Sequence, residues 1–597
     1  MGLTVLNWHG VWPIVAAPDI STVAMASPRS ESPAVASELS VTLGLSRTAA
    51  QLLCSRGLHD PDLASRFLDP RLAQLTPPDL MADRAMAAER LARAVQTKER
   101  ICIFGDYDCD GITSAAIMTH ALRRLGASVE VTLANRFDGG YGVSMAAVSR
   151  IRDKKPTLLV TCDCGSSDAE SLRVLAGSGI ETIVIDHHLV PSEPLPAVAF
   201  LNPHRPDCGF RYKNLASCGL ALSIIAALRT RLGAALDLHS YLDLVAIGTI
   251  ADVAPLDGDN RILVRAGLLR IAQGKRPGLS ALLERARIEK GAPIAGEDIA
   301  FRIAPRLNAP GRLTSPDISL ELLLAEDTAT AEQLADRIEQ LQSERRSIQD
   351  KMLAEAHSEI ETQGWKSDAG IVIGRSDWSS GIVGILAGKL ADHYGIPVVA
   401  VGIDGEIGRG SVRGPAGFGL YDILAGLSDC LIRFGGHQAA AGLEVRSDAM
   451  DTLRSRFTAA CASRSEERIQ AAVVNDTEVL PIHEDDDLFQ VAQDLTRFEP
   501  CGEGNRQPLL LARGKVIKAR EVRGGHLQVE IQTSKGEKLR AFGFGLGSKA
   551  DSLADQLGIV GTLRISRYQS VERAEMRIER LAADESVLDT SRQDAKS

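Results

Sequence analysis

In "ICIFGDYDCDGITSAAIM", residues 101–118, aspartates occupy positions 106, 108 and 110 directly after an apolar run. Three carboxylates so close repel one another, and beside a low-dielectric core they cannot all stay ionised without compensating positive charge. More acids recur in similar settings. Asp163 closes "LLVTCD", Asp186, His187 and His188 close "TIVIDHH", and Asp252 falls in "LVAIGTIADVAPL". Carboxylates with one or two imidazoles, and no required thiolate, suit Mn²⁺ or Mg²⁺. A pair of such ions needs one bridging and several terminal carboxylates, which this set provides. Other cation sites fit less well. An EF-hand loop needs Glu six residues after Gly111, where Ile117 stands, and Cys162-x-Cys164 lacks the second cysteine pair of a zinc site.

These side chains are positioned by a repeating pattern. From residue 99, short β-rich runs ("RICIF", "SVEVTLA", "TLLVTCD", "ETIVID", "AVAFLN") alternate with Ala/Leu-rich helical segments. Such alternation predicts an α/β fold, a doubly wound and mostly parallel sheet whose ligands gather at the carboxyl ends of strands. Residues 326–362 hold no Gly or Pro and carry Leu334, Ile338, Leu341, Ile348 and Met352 at helical spacing, which predicts one long connecting helix. Strands resume at "AGIVIGR" and "IPVVAVG" in a smaller α/β unit. Beyond 467, short alternating strands with Gly and Lys-Gly turns predict a β-barrel of the OB type. The expected boundaries are a disordered extension over 1–40, a catalytic domain with a helical lead-in over 41–325, the helix over 326–362, then 363–466, 467–575 and a flexible tail over 576–597.

At 597 residues, with 45 % hydrophobic and 24 % charged residues, the chain has the composition of a multidomain globular protein. It lacks an apolar stretch long enough to span a membrane. The N-terminus has no basic n-region, and Pro18 and Asp19 interrupt its apolar run, so a signal peptide is not expected. Ten cysteines without framework spacing predict reduced thiols and a cytoplasmic location. The net charge of −10 argues against wholesale nucleic-acid coating, yet residues 506–567 hold twelve Lys/Arg against five acids, a local +7. A basic barrel can track a single-stranded backbone. Phe542, Phe544 and Tyr568 are expected in its core, with base stacking as the alternative.

The motifs "GDYDCDG", "TCDCG", "DHH" with Asn202-Pro203, "GTIADVAPL", "PRLNAPGR", "WSSGIVGILAGKL", "GRGSVRG" and "FGGHQAAAG" together resemble the DHH phosphoesterase superfamily from about residue 45 to 575. The resemblance implies a DHH domain, a DHHA1 domain and an OB-fold. It also implies hydrolysis of single-stranded DNA from the 5′ end to mononucleotides, with two divalent ions, Mn²⁺ or Mg²⁺. Carried over, Asp108, Asp110, Asp163, His187 and Asp252 match metal ligands, with Asp163 as the bridge and Asp106 as an accessory acid. His188 matches a histidine facing the scissile phosphate. Arg136 and Arg306 match phosphate contacts, Arg306 also as a transition-state stabiliser, and Asn308 is expected to shape the loop holding Arg306. Ser411, Arg413 and His437 match groups that hold the DNA end. A helicase and a single-strand binding protein are partners implied by the resemblance alone, and a monomer is expected. Two other readings use the same motifs: a phosphodiesterase of short oligonucleotides, and a non-catalytic single-strand-binding scaffold.

Overall fold

The computed structural model describes residues 33–415, 417–436, 440–464, 479–568 and 571–583. Two compact units are present. One takes in 72–475 and 502–505; the other takes in the described residues up to 71, with 476–501 and the chain from 506 onward.

The first unit is built on a five-stranded sheet of β1 (Arg100–Gly105), β2 (Ser128–Leu133), β3 (Leu158–Cys162), β4 (Glu181–Ile185) and β5 (Ala199–Leu201). Its order is β2-β1-β3-β4-β5 and every pairing is parallel. Alternate side chains serve opposite faces. Ile101 and Ile103 join one core with α1 (Arg84–Gln96), α2 (Cys109–Arg124), α5 (Ser217–Leu232) and α6 (Leu242–Ala251). Cys102 and Phe104 join another with α3 (Met145–Asp153) and α4 (Ala169–Gly177). A sheet covered on both faces needs unbroken apolar strands, which is why "ICIF" and "TIVI" show no polar alternation.

Helix α7 (Ala304–Leu313) follows a π-helical turn at Ile299–Ile303, and α8 (Thr328–Gln363) is the long connecting helix. Asp327 caps α8 by accepting a bond from the Thr330 N–H, and Gly364 ends it in the left-handed conformation at φ 73°. "PRLNAPGR" is therefore helical, not the expected loop. Pro305 closely follows the π-helical turn, Pro310 lies inside the helix, and Ala304 to Arg312 are all buried.

The second sheet of this unit comprises β6 (Ile371–Arg375), β7 (Val398–Asp404), β8 (Ile407–Arg413), β9 (Arg433–Gly436) and β10 (Ala440–Arg446), in the order β6-β7-β8-β10-β9. Only β6 and β7 run parallel. Helix α9 (Val383–Tyr394) packs on it through Leu386, Ala387 and Leu390.

In the other unit, β11 (Val479–Pro481), β12 (Leu509–Val522), β13 (His526–Gln532), β14 (Lys538–Gly543), β15 (Gln556–Tyr568) and β16 (Val571–Ala583) form a six-stranded sheet closed by a β12–β15 pairing. Helices Pro33–Leu43, Arg47–Ser55 and Pro61–Leu68 share its core through Leu39, Leu53 and Leu68. Thr48 and Ser46 tie them to Asp486 and Asp494.

Two expectations are corrected here. Residues 33–40 are helical because Ala36 and Leu39 have an apolar partner in the barrel core; residues 1–32 lie outside the described residues. The tail expected from 576 is strand as far as Ala583, because Met576 and Ile578 point inward and β15 supplies the ladder.

Candidate metal centre and anion pocket

Three segments deliver acids at the carboxyl ends of strands. After β1, Asp108 caps α2, its Oδ1 accepting from the N–H groups of Asp110 and Gly111. Asp110, in the first turn, accepts from the N–H groups of Ser217 (2.7 Å) and Cys218 (3.0 Å) where α5 begins. After β3, Asp163 adopts φ 64°, a left-handed conformation uncommon for a non-glycine residue and costly enough to mark functional sites. Its Oδ1 accepts from Ser217 Oγ at 3.1 Å. After β4 come Asp186, His187 and His188, while Asp252 caps the end of α6.

These groups converge. His187 Nε2 lies 3.3 Å from Asp163 Oδ1, 3.5 Å from Asp252 Oδ2 and 3.9 Å from Asp110 Oδ2. The potential ligand atoms fall in three overlapping triplets: Asp106/Asp108/Asp163, Asp163/His187/His188 and Asp110/His187/Asp252. Asp163 and His187 each belong to two. Packing is close, since a methyl group on Gly248 of α6 would lie 2.4 Å from Thr113 Oγ1 and 2.7 Å from Asp110 Oδ1.

Burial pushes the carboxyls of Asp106 and Asp163 well above the usual range, and neighbouring acids, Asp108 for the first and Asp110 for the second, push further. Asp110 is raised by burial against the pull of His187, and Asp252 is raised by burial to about 8. Burial alone would lower the pKa of His187, yet the surrounding carboxylates, Asp252 foremost, raise it. Asp106 Oδ1 and His187 Nε2 are buried without a hydrogen-bond partner. Stranded acceptors, crowded carboxylates and an imidazole are what divalent cations satisfy, so the residues present fit that group.

Asp186 stands apart from the three triplets. It accepts from the N–H groups of Ser166, His187 and His188 and lies 2.7 Å from His188 Nδ1. Burial would raise its pKa, but the contact with His188 holds it well below the carboxylate range. Tyr141 OH lies 3.1 Å from the same Nδ1 and 3.3 Å from Asp163 O, and Asn202 Nδ2 donates to His188 O at 2.8 Å. Tyr141 and Ser217 escaped the sequence reading, while Asp186 was read among the strand-end acids of "DHH" without a role of its own.

A second cluster is cationic. The Arg136 guanidinium covers the Tyr107 ring at 4.2 Å, and its Nε has no partner. Arg312 NH1 donates to Gly381 O at 3.3 Å, an approach that only glycine permits, since a methyl group there would lie 2.1 Å from Arg312 O. Arg413 NH1 donates to Val412 O, and its Nε is unpartnered. Burial lowers Arg312 to about 9 and Arg413 to about 10, and the charge of Arg136 adds to both shifts. Ser411 and Arg413 line the start of α9, where a methyl group on Gly384 would lie 3.2 Å from Ser411 Oγ and 3.5 Å from Arg413 NH2. Two buried guanidiniums, Arg312 and Arg413, with the half-buried Arg136 adding its charge to both, make a candidate anion pocket. The Asn308 side chain is buried, with Oδ1 unpartnered.

Arg306 is a correction. Its guanidinium is engaged by Glu339 of α8 (2.6 and 3.1 Å) and by the carbonyls of Arg302 and Arg285, so it is spent on an internal pair. Arg312, six residues later in the same motif, joins the cationic cluster instead. His437 lies outside the described residues, as does the Tyr568 side chain. In the barrel, Phe544 is 61 % exposed, contrary to a core role, and forms a ring cluster with Phe542 and His526 at 5.0–5.5 Å.

Comparison with known proteins agrees with this architecture. Residues 100–249 match the DHH family, N-terminal domain; 368–463 match the DHHA1 domain; 481–580 match the RecJ OB domain. The fold and site thus define a DHH–DHHA1 protein with an appended barrel. The chain is 33 % identical to the single-stranded-DNA-specific exonuclease RecJ of Bacillus subtilis, over 92 % of this chain and 69 % of that protein. It is 35 % identical to that of Dickeya dadantii, over 84 % and 91 %. Its fold matches the crystal structure of Thermus thermophilus RecJ in complex with Mn²⁺ with a TM-score of 0.78 and 30 % identity, over 93 % of this chain and 79 % of that one. The chain belongs to the RecJ family.

Proposed function

We propose that this protein is a single-stranded-DNA exonuclease that works from the 5′ end, releases mononucleotides and uses two divalent ions, Mn²⁺ or Mg²⁺. The observation that carries this reading is the convergence of Asp106, Asp108, Asp110, Asp163, His187 and Asp252 into overlapping triplets that share Asp163 and His187. Asp163, common to two triplets, would be the shared ligand in this reading, and the other five would hold the ions as terminal or accessory ligands. Bound ions lower the pKa of water and neutralise charge gathering on the phosphoryl oxygens.

The chain's own residues do the rest. Water oxygen bonds to phosphorus, the P–O3′ bond breaks, and O3′ leaves with a proton. Asp186 holds His188 by Nδ1, which leaves Nε2 to meet the leaving oxygen. Arg136, Arg312, Ser411 and Arg413 hold the phosphate of the DNA end, and each turnover creates a fresh 5′-phosphate for the same pocket. The catalytic domain ending near 325 and the DHHA1 domain over 363–466, joined by the helix over 326–362, thus contribute to one site. The barrel from 467 onward, net +7 over 506–567 with Phe544 outward, tracks the unpaired strand. The ten free cysteines support a cytoplasmic setting, a monomer is the expected form, and a helicase and a single-strand binding protein are the proposed partners. Among the described residues no helix is long and apolar enough to cross a membrane.

The deciding test is Mn²⁺-dependent nucleotide release from a labelled 5′-phosphorylated single strand, with a dinucleotide and a 5′-hydroxyl strand alongside. Release from the long strand, abolished in Asp163→Ala, is the expected result, and Arg413→Ala should erase the preference for a 5′-phosphate. Turnover confined to the dinucleotide would favour a short-oligonucleotide phosphodiesterase, and binding without turnover would favour a scaffold.

A further inference from the structure

The loop that presents Arg136 carries one side chain with no task so far. Phe137 is 44 % exposed and has no ring partner among the described residues. Its exposure is built in. The Phe137 N–H donates to Asn135 Oδ1 at 2.9 Å, Gly140 N donates to Asn135 O at 2.9 Å, and Asp138 pairs with Arg150. Four residues on, Tyr141 touches His188. Phe137 therefore stands at the tip of a fixed loop, next in sequence to a phosphate-directed cation and close in sequence to a contact of the proposed acid. On another loop, Leu189 is 71 % exposed and directly follows His188.

A lone exposed apolar side chain needs no explanation. Here the two residues proposed to handle phosphate, Arg136 and His188, are each followed by a large apolar side chain turned to solvent. A nucleotide has the same alternation, an anion and an apolar π-face one linkage apart.

We propose that Phe137 is the stacking surface for the base adjoining the phosphate held by Arg136, with Leu189 as an apolar wall beside His188. This inference rests on the exonuclease reading and extends it to substrate selection. Every base has a π-face, so the contact is indifferent to sequence. A base in a duplex is already stacked and paired, so the contact selects unpaired ends.

The test compares wild type, Phe137→Ala, Phe137→Trp and Leu189→Ala on two short 5′-phosphorylated oligonucleotides, one normal and one abasic at its two 5′-terminal positions. The value of kcat/KM is read with Mn²⁺, and fluorescence anisotropy of the same oligonucleotides is read in EDTA, independent of turnover. Phe137→Ala should lose about 5- to 150-fold on the normal strand and stay within about 2-fold on the abasic one. Phe137→Trp should match wild type, Leu189→Ala should lose less than Phe137→Ala, and melting temperatures should be unchanged. Equal loss on both strands, or loss on neither, overturns the proposal. Absence of turnover by wild type overturns the exonuclease reading instead, and the anisotropy pattern then decides the stacking role alone.

Discussion

Stripping divalent ions from the carboxylate cluster should make the fold's stability depend on pH in a direction opposite to that of ordinary acid denaturation. Asp252 is raised by burial from 3.8 to about 8. Below about pH 4 the carboxyl is protonated in both folded and unfolded chains, and folding costs nothing there. Between about 4 and 8 the unfolded chain has released the proton while the metal-free fold retains it, so stability falls by about 1.4 kcal/mol per pH unit. By pH 7 the loss from this one group is about 4 kcal/mol, against a total of about 5–15 kcal/mol for a domain. Asp106, Asp110 and Asp163 are raised as well, and each adds to the slope over the range in which it keeps its proton. The raised His187 acts with the same sign, since its contribution is also lost as pH rises.

Ligation requires the ionised carboxylates, so metal binding releases the retained protons and removes the penalty. The melting temperature of EDTA-treated protein should therefore fall from pH 5 to pH 8 while the Mn²⁺-loaded form stays nearly level, and the two should separate by on the order of 10 °C at pH 8. Titration calorimetry in buffers of different protonation enthalpy should count about one to three protons released at pH 7. A metal-free melting temperature that is flat or rises across this range, or metal binding without proton release, would refute the reasoning.

Two further outcomes follow from particular contacts. Asp186→Asn removes the charged partner of His188 Nδ1 without removing a proposed metal ligand, so kcat under saturating Mn²⁺ should fall about 10²-fold with KM little changed; wild-type kcat would exclude the positioning role. Glu339→Ala strips Arg306 of its carboxylate partner, which is about one-third exposed, so denaturant unfolding should show a loss of about 2–3 kcal/mol. Its kcat/KM should stay within about 2-fold of wild type, and a selective fall in turnover would return Arg306 to the chemistry.

Much of the α/β framework was legible because its physics is local. A parallel strand covered on both faces must be continuously apolar, and α8 runs 36 residues without a glycine or proline. The metal cluster was legible for a related reason, since acids at the carboxyl ends of several strands of one sheet must lie near one another. What stayed hidden depends on partners distant in the chain. Helices Pro33–Leu43 and Pro61–Leu68 read as a lead-in to the catalytic domain, yet the core that buries Leu39 and Leu68 is made by strands that begin more than 400 residues later. The last strand of the barrel hid in "VERAEMRIERLAA", where charged residues outnumber the inward Met576 and Ile578.

Arg306 and Arg312 differ in the partners that each finds, and that difference is why the proposed phosphate contact moves from the first to the second. Both lie in "PRLNAPGR", where the family resemblance implied a loop that carries Arg306 to phosphate and gave Arg312 no role. On a helix at about 100° per residue, six positions separate the two by about 240°, so they cannot face the same way. One side of α7 meets Glu339 on α8, and Arg306 finds a carboxylate there. Arg312 finds only the Gly381 carbonyl, and Arg413 and Arg136 likewise lack a carboxylate partner among the described residues. A guanidinium buried without an acid is expensive unless a ligand supplies the charge. Arg312 and Arg413 are two such groups, the half-buried Arg136 adds its charge to both, and the Nε atoms of Arg136 and Arg413 lack partners; in the proposed function a bound phosphate would remove that cost.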